Sequence, residues 1–166
     1  MLDEIDYKFL ELLQRDARMT QQQIAEAVGL SQPAVAQRVR KLEDQGVITG
    51  YVALVDAHQL GKDITAFIGV TTDHPKYNAG FARKILALPE VLECHRVAGE
   101  YSYLLKVKTE NTASLDRFIT ELLRTIPGVN RSYTTLVLAS VKETTRIEAS
   151  QSSRRLRVIG RAKEGA

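Results

Sequence analysis

The chain has 166 residues, 44% of them hydrophobic and 26% charged, which places it among globular proteins and leaves no apolar run near the roughly 20 residues of a membrane-spanning helix. Its one cysteine, Cys94, excludes an internal disulfide and reads as a structural strand thiol, and three scattered histidines offer no metal-ligand spacing. The net charge of +3 is no argument for a nucleic-acid partner, because residues 1–62 carry 7 Lys/Arg against 9 Asp/Glu, residues 63–147 carry 11 against 9, and the basicity collects in residues 148–166, with 5 against 2.

Residues 3–16 set Ile5, Phe9, Leu12 and Leu13 at helical spacing, with Asp3 able to cap and Asp6 in the first turn, so a first amphipathic helix is predicted. The start is acidic and amphipathic where a signal peptide would be basic and then apolar, and a cytoplasmic location is expected. Thr20-Gln21-Gln22-Gln23 has the capping-box pattern, with Met19 and Ile24 in staple positions, and opens a second helix to about Val28. Gly29 can take the left-handed conformation that ends it. Ser31 then caps a third helix of about 32 to 45, with Pro33 in the first turn, where a missing N–H costs nothing.

The two faces of this third helix differ sharply. Val35, Val39 and Leu42 form an apolar stripe, while Pro33, Gln37, Arg40, Lys41 and Asp44 point away from it and Ala34 and Arg38 flank it. Gln, Arg and Lys suit base edges and phosphates, and small residues near the N-terminal end allow close approach to a groove. A short helix, a Gly-containing turn and a capped basic helix form the layout of a helix-turn-helix. A three-helix bundle with a solvated polar face would show the same pattern.

Gly46 ends the third helix, and Val47–Val55 is β-branched and aromatic, so an extended segment leads out of the unit. From 64 to 140 the order is strand (Ile64–Thr71), helix (Phe81, Ile85, Leu88), strand (Val91–Val97), turn (Gly99-Glu100-Tyr101-Ser102), strand (103–108), helix (Leu115, Phe118, Ile119, Leu122, Leu123, Ile126) and strand (Val129–Leu138). Leu88-Pro89-Glu90-Val91 and Ile126-Pro127-Gly128-Val129 close the two helices alike, as two copies of one β-α-β plan would. This βαββαβ order is the ferredoxin-like arrangement. Strands 103–108 and 129–138 are too rich in Tyr, Leu and Val for a solvated face, which predicts self-association through the sheet. A two-fold dimer would hold two reading helices for half-sites about 34 Å or a multiple apart.

At this point the residues resemble the leucine-responsive/asparagine-responsive (Lrp/AsnC, feast/famine) regulators, over roughly residues 2–147. The resemblance is carried by Leu2-Asp3 with Asp6, Asp16-Ala17-Arg18, Ile24-Ala25 with Val28-Gly29-Leu30-Ser31, Arg38-Val39-Arg40-Lys41-Leu42-Glu43 with Gly46-Val47-Ile48, Gly50-Tyr51, Leu60-Gly61, Leu88-Pro89-Glu90-Val91, and Pro127-Gly128-Val129 with Val141-Lys142. It implies an α+β chain with a winged helix-turn-helix reader and a C-terminal ferredoxin-like domain that dimerises through its sheet, often as four dimers in an octamer. It also implies an amino-acid effector bound where dimers meet, near Gly99, Glu100, Tyr101 and Ser102 and the strand around Thr134 and Thr135. Ser102 departs from the family, which often has an acidic residue there to pair with the ligand's ammonium; either Glu100 takes that role, the ligand differs, or none binds. His95, where the family often has an aromatic, reads as a strand side chain.

The expected organisation is therefore a reader (1–50), an extended linker strand (51–63), the ferredoxin-like domain (64–147) and a basic tail (148–166). The expected partner is double-stranded DNA, with Gln32, Pro33, Gln37 and Arg38 approaching base edges, Arg40 and Lys41 holding phosphates, and Gln21, Gln22 and Ala34 within the interface. The tail, Ser150-Gln151-Ser152-Ser153 followed by Arg154, Arg155, Arg157, Arg161 and Lys163, has three readings: a phosphate-binding arm, an edge strand from Leu156-Arg157-Val158-Ile159, or a solvated end. No catalytic triad, P-loop or dinucleotide motif is present, so an enzyme is not expected, nor a cofactor. The alternatives to a sequence-specific regulator are a nucleoid-type architectural protein and a metabolite-binding assembly module.

Overall fold

The computed structural model describes residues 2–149; the tail expected from residue 148 lies, from Ser150 on, outside them. The described residues divide into two compact units, one of residues 2–53 with 143–149 and one of residues 54–142.

The first unit holds three helices: α1 (Glu4–Arg15), α2 (Gln21–Val28) and α3 (Gln32–Asp44). Each opens on a capped residue that satisfies backbone N–H groups the helix cannot. Asp3 and Asp6 form a reciprocal capping box on α1, and Thr20 and Gln23 do so on α2. Ser31 accepts from the Ala34 N–H at 3.4 Å on α3. Gly29 ends α2 at φ +71, the left-handed conformation the sequence predicts. Phe9, Ile24, Ala25, Val35 and Leu42 form the buried centre, with Met19, Leu30 and Val39 packed around it.

The second unit is a four-stranded antiparallel sheet in the order β2-β3-β1-β4, built from β1 (Ile64–Thr72), β2 (Val91–Arg96), β3 (Tyr103–Thr109) and β4 (Val129–Leu136). Its helices are α4 (Asn78–Leu86), preceded by a 3₁₀ turn at Pro75–Tyr77, and α5 (Thr112–Arg117), which continues as a π-helical stretch, Phe118–Leu123. The duplicated plan is visible in the hydrogen bonds. Val91 N–H donates to the Leu88 carbonyl and Val129 N–H to the Ile126 carbonyl, each at 3.1 Å, so both Pro-containing stops make the same turn into the next strand.

One sheet face carries the core. Ala66, Ile68 and Val70 of β1 and Tyr103, Leu105 and Val107 of β3 bury against Phe81 and Ile85 of α4 and Leu115, Phe118, Leu123 and Ile126 from the second helical segment. The π-helical stretch decides which leucine enters. Arg124 N–H reaches back five residues to the Ile119 carbonyl at 3.0 Å, and the wider turn puts Leu123 in the core and leaves Leu122 exposed.

Two expectations need correction. Residues 51–56 form no strand; Val52, Leu54 and Val55 are exposed, and without a neighbouring ladder β-branched side chains alone do not make one. Residues 57–61 turn, with Lys62 N–H on the Ala57 carbonyl at 2.9 Å. Likewise β3 spends most of its apolar residues on the core, so the apolar part of the opposite face comes chiefly from Phe67 of β1 and Tyr133 of β4.

Two glycines predict opposite responses to one substitution. Gly128 has φ +87 and an added Cβ would run into the Tyr77 side chain, whereas Gly80 in α4 has open space around it. Gly128→Ala is expected to destabilise the unit by at least the roughly 1–2 kcal/mol of a left-handed L-residue, and Gly80→Ala to stabilise it by about 0.4–1 kcal/mol. Thermal unfolding of the two variants should move in opposite directions.

Candidate functional site

Helix α3 presents two different surfaces. Val35 and Leu42 are buried, while Gln32, Pro33, Gln37, Arg40 and Lys41 are exposed and Ala34 is half-buried. Gln21 and Gln22, at the head of α2, are exposed as well, Gln22 donating its amide to Glu26 at 3.1 Å. The fold brings Gln21, Gln37 and Arg40 together on one open groove of about 560 Å³, floored by Leu13, Met19, Ile24 and Val39 and bounded by Glu43 and Tyr51. Tyr51 donates its hydroxyl to Glu43 at 3.0 Å, and partial burial, then the neighbouring carboxylate, raise its pKa. Amide and guanidinium donors on a capped helix, over an apolar floor that fixes them, are the chemistry of base and phosphate contacts.

Arg38 is the correction to the expected set. Its guanidinium is turned onto the start of α1, with Nη1 2.6 Å from Asp3 Oδ2 and 2.7 Å from Asp6 Oδ1. The same two carboxylates accept the Asp6 and Asp3 backbone N–H groups at 2.8 and 3.0 Å. Asp6 is fully buried, and a buried carboxylate without a cation would be costly. Arg38 therefore locks α3 to the α1 cap through one nitrogen, Nη1, which the two carboxylates share. The signal was present in the sequence: Asp6 lies at helical spacing from Leu2, Phe9 and Leu13, which places it on the buried side.

The second unit offers a different cluster. The loop 99–102 joins β2 to β3, and the Tyr101 ring lies over Gly69 of β1, where an added Cβ would stand 2.6 Å from Tyr101 Cγ. Tyr101 also contacts Tyr133 of β4, with ring centroids 5.6 Å apart. Ser102 Oγ accepts the Thr72 N–H at 3.2 Å and lies 3.3 Å from the Thr72 hydroxyl, so this serine closes the loop onto β1. Gly99 and Glu100 are exposed. Thr134 and Thr135 part company, because adjacent strand residues face opposite sides: Thr134 pairs with core-facing Ile68 and Thr135 with Phe67. Beside the edge strand an open cleft of about 590 Å³ is lined by Arg124, Val129, Asn130, Arg131, Ser132 and Tyr133. Its two arginines were not anticipated; a cation in a strand that otherwise reads as Ser, Tyr and Thr was the available sign.

Away from the helices, the open sheet face is divided. Phe67 and Tyr133 are partly exposed on β1 and β4, joined by Leu104 of β3. On the β2 side Glu93 takes Lys106 at 3.3 Å and His95 at 3.1 Å, and these contacts, His95 first, lower the Glu93 pKa. Cys94 is exposed on β2 rather than structural in the core, its pKa raised by partial desolvation.

With this geometry in view, similarity to known proteins is extensive. Residues 65–147 match the model of the Lrp/AsnC ligand binding domain and residues 2–49 that of a winged helix-turn-helix DNA-binding domain. The chain is 37% identical over 147 residues to the DNA-binding transcriptional activator DecR of Escherichia coli K12, covering 87% of this chain and 97% of that one. It is 36% identical over 148 residues to the leucine-responsive regulatory protein of Salmonella typhimurium, covering 88% and 90%. Among solved structures, a transcriptional regulator of Neisseria meningitidis in complex with L-Met superposes with a TM-score of 0.85 at 31% identity, over 89% of this chain and 96% of that one. AsnC of E. coli gives 0.83 at 29% identity, over 88% and 98%.

Two outcomes are expected from the Arg38 contacts. Arg38→Ala should unfold the first unit more easily, by an amount toward the lower end of the roughly 3–5 kcal/mol for orphaning a buried charge, since Arg38 keeps 27% side-chain exposure; chemical denaturation of the variant checks this. The Arg38 guanidinium, then the Asp6 backbone N–H, hold the Asp3 carboxyl below its ordinary 3.8. A depressed folded value means that this stability is present above the unfolded value and is lost as pH falls through the folded one. Melting of the first unit should therefore drop below about pH 4, and Asp3→Asn should flatten that drop.

Proposed function

The chain belongs to the Lrp/AsnC family of transcriptional regulators, and on that premise we propose how its own residues carry the work. The outward side of α3 enters the major groove. Gln32, Pro33 and Gln37 meet base edges, Arg40 and Lys41 hold phosphates, and Gln21 and Gln22 support the same duplex from the head of α2. The observation that carries this is the division of α3 into a fully buried stripe and an exposed amide and cationic face on a unit with its own core. Arg38 serves indirectly, by fixing the angle at which that face is presented.

The protein works as an oligomer. One short reading helix has limited affinity, and a two-fold assembly supplies two. The aromatic half of the open sheet face, with Phe67, Leu104 and Tyr133, supports a dimer, and the octamer seen as a family habit is the expected higher assembly. A cytoplasmic, non-enzymatic role accords with the regulators it resembles.

An amino acid modulates it. The relative solved with L-Met supports this class of effector. A zwitterion needs a partner for each charge. Glu100 is the available carboxylate in the 99–102 loop, since Ser102 is committed to Thr72, and Arg131 or Arg124 in the adjoining cleft can take the α-carboxylate. The Tyr101–Tyr133 contact joins loop to cleft.

Two measurements test these readings. In mobility shifts, Gln37→Ala should relax operator discrimination by about 1–3 kcal/mol, and Arg40→Ala should weaken binding to all sequences while lowering the salt slope by about 1; unchanged affinity in both would remove α3 from the interface. In thermal melts of the assembled protein, an amino-acid panel should contain at least one ligand that raises stability. Glu100→Gln and Arg131→Ala should abolish that shift, and a panel with no shift would remove the effector.

A further inference from the structure

The segment that follows α3 comes back to it. Gly46, at φ +66, turns the chain, and the Val47 and Ile48 N–H groups donate to the Leu42 carbonyl at 2.9 and 3.1 Å, closing the helix with a left-handed C-terminal cap. Ile48 packs on the core of the first unit. Tyr51 is thereby set beside Glu43, eight residues back, and its hydroxyl donates to Glu43 Oε1 at 3.0 Å. The next residue finds no such seat: Val52 is 79% exposed against 48% for Tyr51.

Glu43 is the one carboxylate among the residues lining the groove, beside the donors Gln21, Gln37 and Arg40. A negative charge there opposes a polyanion, and it bears on one residue in particular. Arg40 and Glu43 lie three apart on α3, the spacing at which opposite charges pair on a helix surface. A guanidinium paired with its own carboxylate would be neutralised before it met a phosphate. Yet among the described residues Arg40 makes no ion pair, and the Glu43 carboxylate is held by Tyr51 instead. Asp44, four residues beyond Arg40, is exposed and does not line the groove.

We propose that Tyr51 is a positioning residue for DNA binding: its hydroxyl holds the Glu43 carboxylate away from Arg40, so that the Arg40 guanidinium stays free for a phosphate. The inference rests on the assignment of Arg40 to the DNA backbone and names what keeps that cation available. Two partners compete for one carboxylate. The hydroxyl makes a hydrogen bond to an ionised acceptor, among the stronger that side chains form, from a ring half shielded from water. An exposed ion pair three residues apart shifts an equilibrium only about twofold. The hydroxyl therefore keeps the carboxylate, and without it Glu43 turns to the nearest cation on its helix.

The test is a double-mutant cycle in the full chain, read as binding to random-sequence duplex across a salt series. Tyr51→Phe keeps the ring on the groove and removes the hydroxyl. Affinity should fall about twofold, and the slope of log K against log[salt] should shrink by part of the roughly 0.9 that one phosphate contact contributes. Tyr51→Phe/Glu43→Gln should restore both, because the released side chain then carries no charge. Glu43→Gln alone should bind at least as tightly as the wild type. Unchanged binding by Tyr51→Phe overturns the proposal. So does a loss that Glu43→Gln fails to restore, the result expected if the hydroxyl only braced the fold or itself met the duplex. Weaker binding by Glu43→Gln alone overturns it as well, since the carboxylate would then take a direct part in recognition. Arg40→Ala keeps the two readings apart, and in that background Tyr51→Phe should add nothing. Wild-type affinity in Arg40→Ala sinks the phosphate assignment, whereas an impaired Arg40→Ala beside an unaffected Tyr51→Phe sinks only the role of Tyr51.

Discussion

The buried carboxylate of Asp6 is the constraint on which the first unit turns. It sits on the apolar side of α1 because the helical repeat puts it there, between Phe9 and the chain start. A carboxylate in that position must be paired, and Arg38 is the cation that reaches it. Pairing Arg38 inward fixes the rotation of α3, since a helix whose one flank is tied to α1 and whose stripe of Val35 and Leu42 is buried has no freedom about its own axis. Gln37, Arg40 and Lys41 then face outward as a consequence. The residues proposed to meet DNA are thus positioned by one that is turned inward.

The second unit solves a different problem. Its two copies of a β-α-β plan close on the same Pro-containing turn and cover only one side of the sheet, leaving the other to its own chemistry. That side carries an ion cluster at β2 and aromatic residues at β1 and β4. An aromatic contact from the 99–102 loop to β4 ties the proposed effector loop to the same edge, so a ligand bound there would touch the aromatic part of the open face.

Much of this was legible in residues with strong local rules. The capping pairs at Thr20–Gln23 and Ser31, the left-handed Gly29 and the order of strands and helices follow from propensity and period. What was hidden depends on tertiary context. Arg38 and Arg40 are both long cations on one helix, and only the buried Asp6 separates a clamp from a reader. Thr134 and Thr135 look equivalent as a polar pair until strand alternation sends them to opposite faces. Val52, Leu54 and Val55 have strand propensity but no ladder, and periodicity puts Leu122 and Leu123 alike on the apolar side, whereas the π-helical stretch at Phe118–Leu123 buries Leu123 and leaves Leu122 exposed. The Gln14 amide bonds to both backbone groups of Ile147, 133 positions away, beyond any local rule.

The outward side of α3 is the surface proposed to meet base edges in the major groove. Photo-crosslinking tests it most directly, with a benzophenone side chain placed at position 37 on the outward face, or at position 26 on α2 as the comparison, in the protein bound to duplex DNA. Crosslinks to bases from position 37 and few from position 26 are expected. Bound protein that crosslinks to DNA from position 26 and not from position 37 would contradict it.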